Sequence, residues 1–318
     1  MDDKRDSLKD SLFKIWNGEY LKCFEPKETC IRRPIRAHSI QNGAILEMIQ
    51  YDGHVVMPRL KLDLNSDPKM SFELVGRNKA TTFTGLCADH DASIFAPIET
   101  TSIDMENDLH LFLLAYRAVL RETHVIIESA IKIHIGYQEK VKLGLIPGDI
   151  PTPDGRRALD FLINCYETYL YKREFDQIYI GRDFQELRHK TIFLKHNAPT
   201  IAANSLFTSA DNIQNPDETE RIILNIFPVV QGTQVIFSYL ARQEPFVKAH
   251  LSEVLRANGY HRLYLISKFV LRNCENFVIA PKYFETISDE SRDAMLDYFQ
   301  RTYYKDLLDY EDNRLFLF

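Results

Sequence analysis

Residues 22–38 read K-C-F-E-P-K-E-T-C-I-R-R-P-I-R-A-H, and residues 86–91 read L-C-A-D-H-D. Cys23 and Cys30 flank a turn-rich spacer, and Cys87 with His90 forms a C-x-x-H pair. Soft thiolates and an imidazole delivered as two local pairs are the donor set of a closed tetrahedral zinc site, so these four residues are expected to bind structural Zn²⁺. His38 also stands close enough in sequence to replace one ligand. Such a site staples an N-terminal loop to the turn at 87–90 and makes the beginning of the chain a small metal-bound module.

The remaining cysteines, Cys165 and Cys274, lie in apolar helical contexts and read as small buried hydrophobes. The N-terminus M-D-D-K-R-D-S-L-K-D-S-L is charged and lacks an apolar signal core, so a cytoplasmic protein with reduced thiols is expected. Apolar runs such as 109–115 are cut by charged residues long before the ~20 positions a membrane span needs. With 318 residues, 45% hydrophobic and 12% aromatic, the chain can bury a large core and is long enough for two domains. A net charge of −6 argues against coating nucleic acid through bulk electrostatics. Locally the balance reverses, because Lys22, Lys27, Arg32, Arg33 and Arg36 face only Glu25 and Glu28. Arg32, Arg33 and Arg36 are therefore the candidates for holding a nucleic-acid phosphate.

Outward from the cysteines, 6–17 has the spacing of a short amphipathic helix, and 39–51 that of another closed by Asp52-Gly53. Residues 54–64 alternate as a strand and 70–75 pair back across N-S-D-P-K, with Gly76 ending the hairpin. A helix or turn after Cys87 stops at Pro97. Residues 104–142 form one long helix with apolar residues on several faces. The punctuation L-I-P-G-D-I-P-T-P-D-G at 145–155 separates it from a second helix over 156–175. Strand-like runs fill 191–207 and 221–240, the latter a hairpin about Gly232, and helices return at 244–257, 260–274 and 289–302. The aromatic tail over 298–310 has the spacing of packing residues. The fold class is α+β, with a zinc-bound module over 1–103 and a larger domain over 104–318 made of a helical hairpin (104–180), a strand-rich part (190–240) and helices (244–302).

The order of these motifs resembles the HNH-type endonucleases of the His-Me finger class. There a zinc-knuckle cysteine pair precedes an A-H motif, and a later L-C-x-x-C-H or L-C-x-x-H-H segment returns two zinc ligands and a ligand of the catalytic metal. This chain has Ala37-His38, then Leu86-Cys87-Ala88-Asp89-His90-Asp91, then Ile94-Phe95. The resemblance covers roughly 20–98 and implies a metal-dependent nuclease. In it, His38 is the general base, Asp91 holds Mg²⁺ or Mn²⁺ at the scissile phosphate, and Asn78 orients the His38 ring. Asp91 stands where the family more usually has His or Asn, and 48 residues separate His38 from Cys87. The pattern is also similar to bacterial proteins, and HNH modules serve in restriction, so the resemblance extends to a role in antiphage defence.

Three other readings use the same residues. In the first, zinc is a folding staple and the chain is a non-catalytic binding or adaptor protein whose C-terminal domain takes a protein partner. In the second, His90-Asp91 is the doublet of an HD-type phosphohydrolase, with His54 and Asp104 or Asp108 as further ligands. In the third, Cys87 is a nucleophile paired with His90, against which three clustered thiols favour metal. His110, His124 and His134 are spaced too widely along one helix for a ligand set and read as ordinary helix positions.

Overall fold

The computed structural model describes residues 2–63, 66–196, 198–208, 220–303 and 311–318. In chain order the elements are α1 (Asp2–Trp16), β1 (Ile35–His38), a π turn over Asn42–Leu46 running into α2 (Glu47–Ile49), β2 (His54–Asp63), β3 (Ser66–Gly76), β4 (Thr82–Leu86) and α3 (Ala88–Glu99). Two long helices follow, α4 (Asp108–Lys142) and α5 (Pro153–Gly181), and then β5 (Leu187–Lys195), β6 (Ile201–Thr208), β7 (Arg221–Val229) and β8 (Gly232–Leu240). The chain continues with α6 (Glu244–His250), α7 (Ser252–Arg256), α8 (Gly259–Asn273), β9 (Phe277–Ile279), α9 (Pro281–Phe284) and α10 (Asp289–Tyr303). The protein is α+β, as its sequence leads one to expect. No helix among the described residues is long and apolar enough to cross a membrane.

Two compact units share this chain, and neither is a continuous stretch. The first gathers 1–37, 83–93 and 120–182; the second gathers 38–82, 94–119 and 183–318. The boundary read from the sequence, at 103/104, falls inside a segment of the second unit. The chain changes unit within α3 and again within α4, so 1–103 and 104–318 each contribute to both.

The second unit is built on a seven-stranded sheet of order β3-β2-β9-β6-β7-β8-β5. Every pairing in it is antiparallel, including β2 with β9 at Val56↔Ile279 and β6 with β9 at Ala202↔Val278. β7 is buried along nearly its whole length, which is why I-I-L-N-I-F reads as an unbroken apolar run and not as an alternation. Leu224, Ile226, Phe237, Ile266, Val270, Phe277 and Met295 belong to one core that joins the sheet to α8 and α10. Tyr298 and Phe299 of the aromatic tail are buried here, whereas 304–310 lie outside the described residues.

Several boundaries differ from expectation. β3 begins at Ser66, within the N-S-D-P-K segment expected as a turn. As the outer strand of the sheet, β3 tolerates Pro68, which would break the ladder of a central strand. The strand-like runs of 191–207 are β5 and β6, the former beginning earlier at Leu187, and 244–257 is two short helices, α6 and α7. α5 is longer than 156–175 at both ends. Thr152 accepts the Gly155 N–H on its hydroxyl at 3.1 Å and Pro153 takes the first helical turn, while Arg182 closes the helix in a left-handed conformation. Residues 110–120 of α4 are buried without interruption, the environment implied by apolar residues on several faces.

Candidate metal centre

Cys23 and Cys30 sit on the loop before β1, Cys87 follows β4, and His90 lies in the first turn of α3. All four belong to the first unit, and their ligand atoms lie within 4.8 Å of one another. The Cys30 and Cys87 sulfurs are 3.9 Å apart, and His90 Nδ1 is 3.3 Å from Cys87 Sγ and 3.5 Å from Cys23 Sγ. A tetrahedron with ~2.3 Å Zn–S and ~2.0 Å Zn–N bonds has edges of about 3.8 Å between sulfurs and about 3.5 Å from sulfur to nitrogen. These three edges match a tetrahedral metal site, and the remaining pairs of ligand atoms lie within 4.8 Å of one another. Among the described residues it is the group of His, Cys, Asp and Glu side chains that can hold a metal ion. Of the HD-type set, His90 and Asp91 belong to the first unit, whereas His54 and both Asp104 and Asp108 belong to the second.

Local chemistry shapes the loop that brings Cys30 back to Cys23. Glu25 is buried, and its carboxylate accepts the Lys27 N–H at 2.8 Å, the Cys30 N–H at 3.1 Å, the Thr29 hydroxyl at 3.0 Å and the Thr29 N–H. Burial opposes that charge, yet the converging donors hold the Glu25 carboxyl below its ordinary range. The Phe24 N–H donates to the Gly85 carbonyl at 2.8 Å, joining the loop to β4, and the Cys87 N–H points at the Cys23 sulfur at 3.3 Å. N–H···S bonds of this kind are the usual companions of metal thiolates, because they stabilise negative sulfur.

The thiols are not equivalent. Burial pushes Cys23 up to about 12, whereas Cys87, although burial opposes its charge, is held below its ordinary value by the His90 N–H and by the neighbouring cysteine thiols. Cys30 and His90 are part-exposed, so an ion could enter from their side. A divalent cation is what allows three adjacent sulfurs to be anionic together. His124 anchors the segment leading into the loop, with Nε2 3.0 Å from the Tyr20 carbonyl and 2.9 Å from the Thr84 hydroxyl, and the Tyr20 N–H donates to Glu128.

The other residues singled out in the sequence have different surroundings. His38 ends β1, is half-buried and belongs to the second unit. Its Nε2 lies 3.0 Å from the Arg77 carbonyl, so this nitrogen carries the proton and Nδ1 is left as an acceptor. Burial holds His38 below its ordinary pKa against that hydrogen bond, with Arg117 and Arg77 adding to the depression. The ring is thus neutral near pH 7. The group orienting it is the main chain of Arg77; the neighbouring Asn78 side chain accepts from Asn42 Nδ2 at 3.1 Å. Asp91 lies in the first turn of α3, part-exposed, with its N–H on the Cys87 carbonyl. Arg32 is ion-paired with Asp89, Arg36 with Glu19, and Arg33 is exposed. Cys274 is buried, as its context suggests, whereas Cys165 is part-exposed on α5.

Sequence reasoning missed Glu25, Glu28, Tyr169 and Lys172. The signal for Glu25 was available, since an acid two residues beyond the first cysteine of a tight loop can collect the loop's own amides. Lys172 had only an i,i+4 partner in Asp176 to mark it. The chain matches none of the family models, curated proteins or solved structures with which it was compared.

Proposed function

We propose that the Cys23, Cys30, Cys87 and His90 set is a structural zinc site and that the chain is a zinc-stapled protein. The observation that carries this reading is the convergence of three sulfurs and one imidazole nitrogen within 4.8 Å. Four protein donors close the coordination sphere and leave no position for a reacting water, which is the mark of a structural site and not a catalytic one. The same geometry favours metal over Cys87 as a free nucleophile. The test is metal analysis of protein purified with reduced thiols, together with the visible spectrum after Co²⁺ exchange. One ion per chain and the intense bands of tetrahedral cobalt thiolate are expected; an ion-free protein that does not take up Co²⁺ would remove the reading.

A second reading is favoured by His38, and it remains a proposal beside the first. A neutral imidazole whose proton is fixed on Nε2 by a carbonyl leaves Nδ1 able to accept a proton from water. The chain order of His38 at the end of β1, then β4, then α3 with Asp91 agrees with the HNH-type resemblance, with the β2–β3 hairpin as an insertion. On this reading the protein hydrolyses phosphodiesters of nucleic acid with Mg²⁺ or Mn²⁺ at Asp91. Arg33 is the readiest of the three arginines for phosphate, since Arg32 and Arg36 face carboxylates. Plasmid and single-stranded nucleic acid incubated with wild type and His38→Ala in Mg²⁺ or Mn²⁺ decide the matter. Cleavage lost in the variant with zinc content retained supports it. A zinc-loaded wild type without cleavage leaves the adaptor reading.

A further inference from the structure

We infer that Lys172, through Glu28, is the positioning residue of the metal site, so that closing the Cys23–Cys30 loop on a metal ion and docking it on α5 are one equilibrium. The inference rests on the metal reading above and concerns how that site is held.

Lys172 lies on α5 and its side chain is wholly buried, a placement lysine almost never takes without ionic partners. It has two of them. Asp176, one turn along the same helix and also fully buried, lies 2.8 Å from the ammonium. Glu28, from inside the metal loop, lies 3.1 Å away. The second oxygen of Glu28 accepts the Tyr169 hydroxyl at 2.6 Å, so α5 holds this carboxylate at both ends. The ammonium also approaches the face of Phe24, the residue after Cys23, at 5.7 Å from the ring centre.

Geometry makes these contacts specific to one loop shape. Glu28 adopts φ 57°, a left-handed conformation that a non-glycine residue takes only when its surroundings hold it there. Its N–H donates to the Glu25 carbonyl at 2.9 Å, and Glu25 in turn gathers the amides on either side of Glu28. Lys172 thus reaches Cys30 through two carboxylates. A loop opened by loss of metal withdraws Glu28 and leaves a buried ammonium with Asp176 alone, which penalises the open state. Outer groups that orient metal ligands in this way commonly contribute 10- to 100-fold in affinity.

The experiment compares full-length wild type, Lys172→Met, Glu28→Gln, the double variant and Asp176→Asn. Zinc affinity is read by competition with a chromophoric chelator, and urea unfolding is recorded beside it. Lys172→Met and Glu28→Gln should each weaken zinc by about 10- to 100-fold. The double variant should weaken it no further than the worse single one, because both remove the same link. Asp176→Asn removes the ammonium's partner on α5 and keeps its link to Glu28, so it should lower the urea midpoint without weakening zinc. If Lys172→Met does not fold, Glu28→Gln and Tyr169→Phe carry the same test from the loop and hydroxyl sides. Zinc held by Lys172→Met as tightly as by wild type, or losses that simply add, would overturn the inference. A wild type that takes up no zinc would instead remove the metal reading on which it rests.

Discussion

Glu25→Gln replaces a buried carboxylate by its nearest isostere and should unfasten the loop between Cys23 and Cys30. In the native protein one carboxylate oxygen receives the Thr29 N–H, the Thr29 hydroxyl and the Cys30 N–H, and the other receives the Lys27 N–H. Glutamine has one carbonyl oxygen. Placed on the Thr29 side, it keeps three acceptor contacts but presents its own N–H₂ to the Lys27 N–H. One part-buried donor then loses its acceptor, at about 1–2 kcal/mol, and three bonds to a charged acceptor become neutral ones, each weaker by roughly 0.5 kcal/mol. The sum is about 3 kcal/mol. With a urea m-value of about 2 kcal/mol/M, the unfolding midpoint of zinc-loaded protein should fall by about 1.5 M. Far-UV circular dichroism follows the transition, and chelator competition should show weakened zinc as well, because the Cys30 amide is one of the donors. A variant within about 0.5 kcal/mol of wild type would refute the view that this carboxylate organises the loop.

In the second unit, Asn276 is buried and donates its side-chain amide to Ser39 Oγ at 2.8 Å and to the Asn204 carbonyl at 3.0 Å. Asn276→Leu should cost about 2–4 kcal/mol by leaving both acceptors unsatisfied, read as a lower thermal midpoint; no change would mean that the pair is satisfied otherwise. His189, bonded through Nδ1 to Ser238 at 2.8 Å, has its pKa pushed down by burial to about 4. Its folded value lies below the unfolded one, so its contribution is complete above pH 6.5 and is lost as pH falls toward 4. That contribution is about 2 kcal/mol once the solvent-open part of the ring is discounted. His189→Gln should flatten the stability profile in that window, and a profile unchanged from wild type would contradict the assignment. Chelation of the native protein should lower its thermal midpoint, with added Zn²⁺ restoring it, if the metal is coupled to folding.

The four residues of the candidate metal centre were legible in the sequence because their chemistry does not depend on the path between them. Thiols and imidazole in two local pairs announce themselves whatever lies in residues 39–86. The seven-stranded sheet was less legible. Its strands were visible one by one, but β9 is three residues long, and nothing in Phe277–Ile279 shows that it joins β2 to β6. The division into units was hidden for a related reason. Residues 110–120 look like the interior of one helix, and only packing reveals that the chain changes unit at 119/120. The surroundings of His38 lay beyond any sequence argument, since a main-chain carbonyl, that of Arg77, orients its ring and any residue type can supply one. Lys172 was equally obscure, because a lysine on a helix is ordinarily a solvent-facing residue and its acidic partner lies 144 positions away.

The three-residue strand β9 also sets the timing of biosynthesis. The β2–β3 hairpin is complete once Gly76 has left the ribosome, but the neighbour that covers the inner edge of β2 begins only at Phe277. At roughly 5–20 residues per second the ribosome needs about 10–40 seconds to make the intervening chain. For that interval the hairpin has an open strand edge, and the sheet cannot close before Phe277–Ile279 has been made. The inner edge of β2 therefore gains its neighbour only after the whole of β4 to α8 has been made.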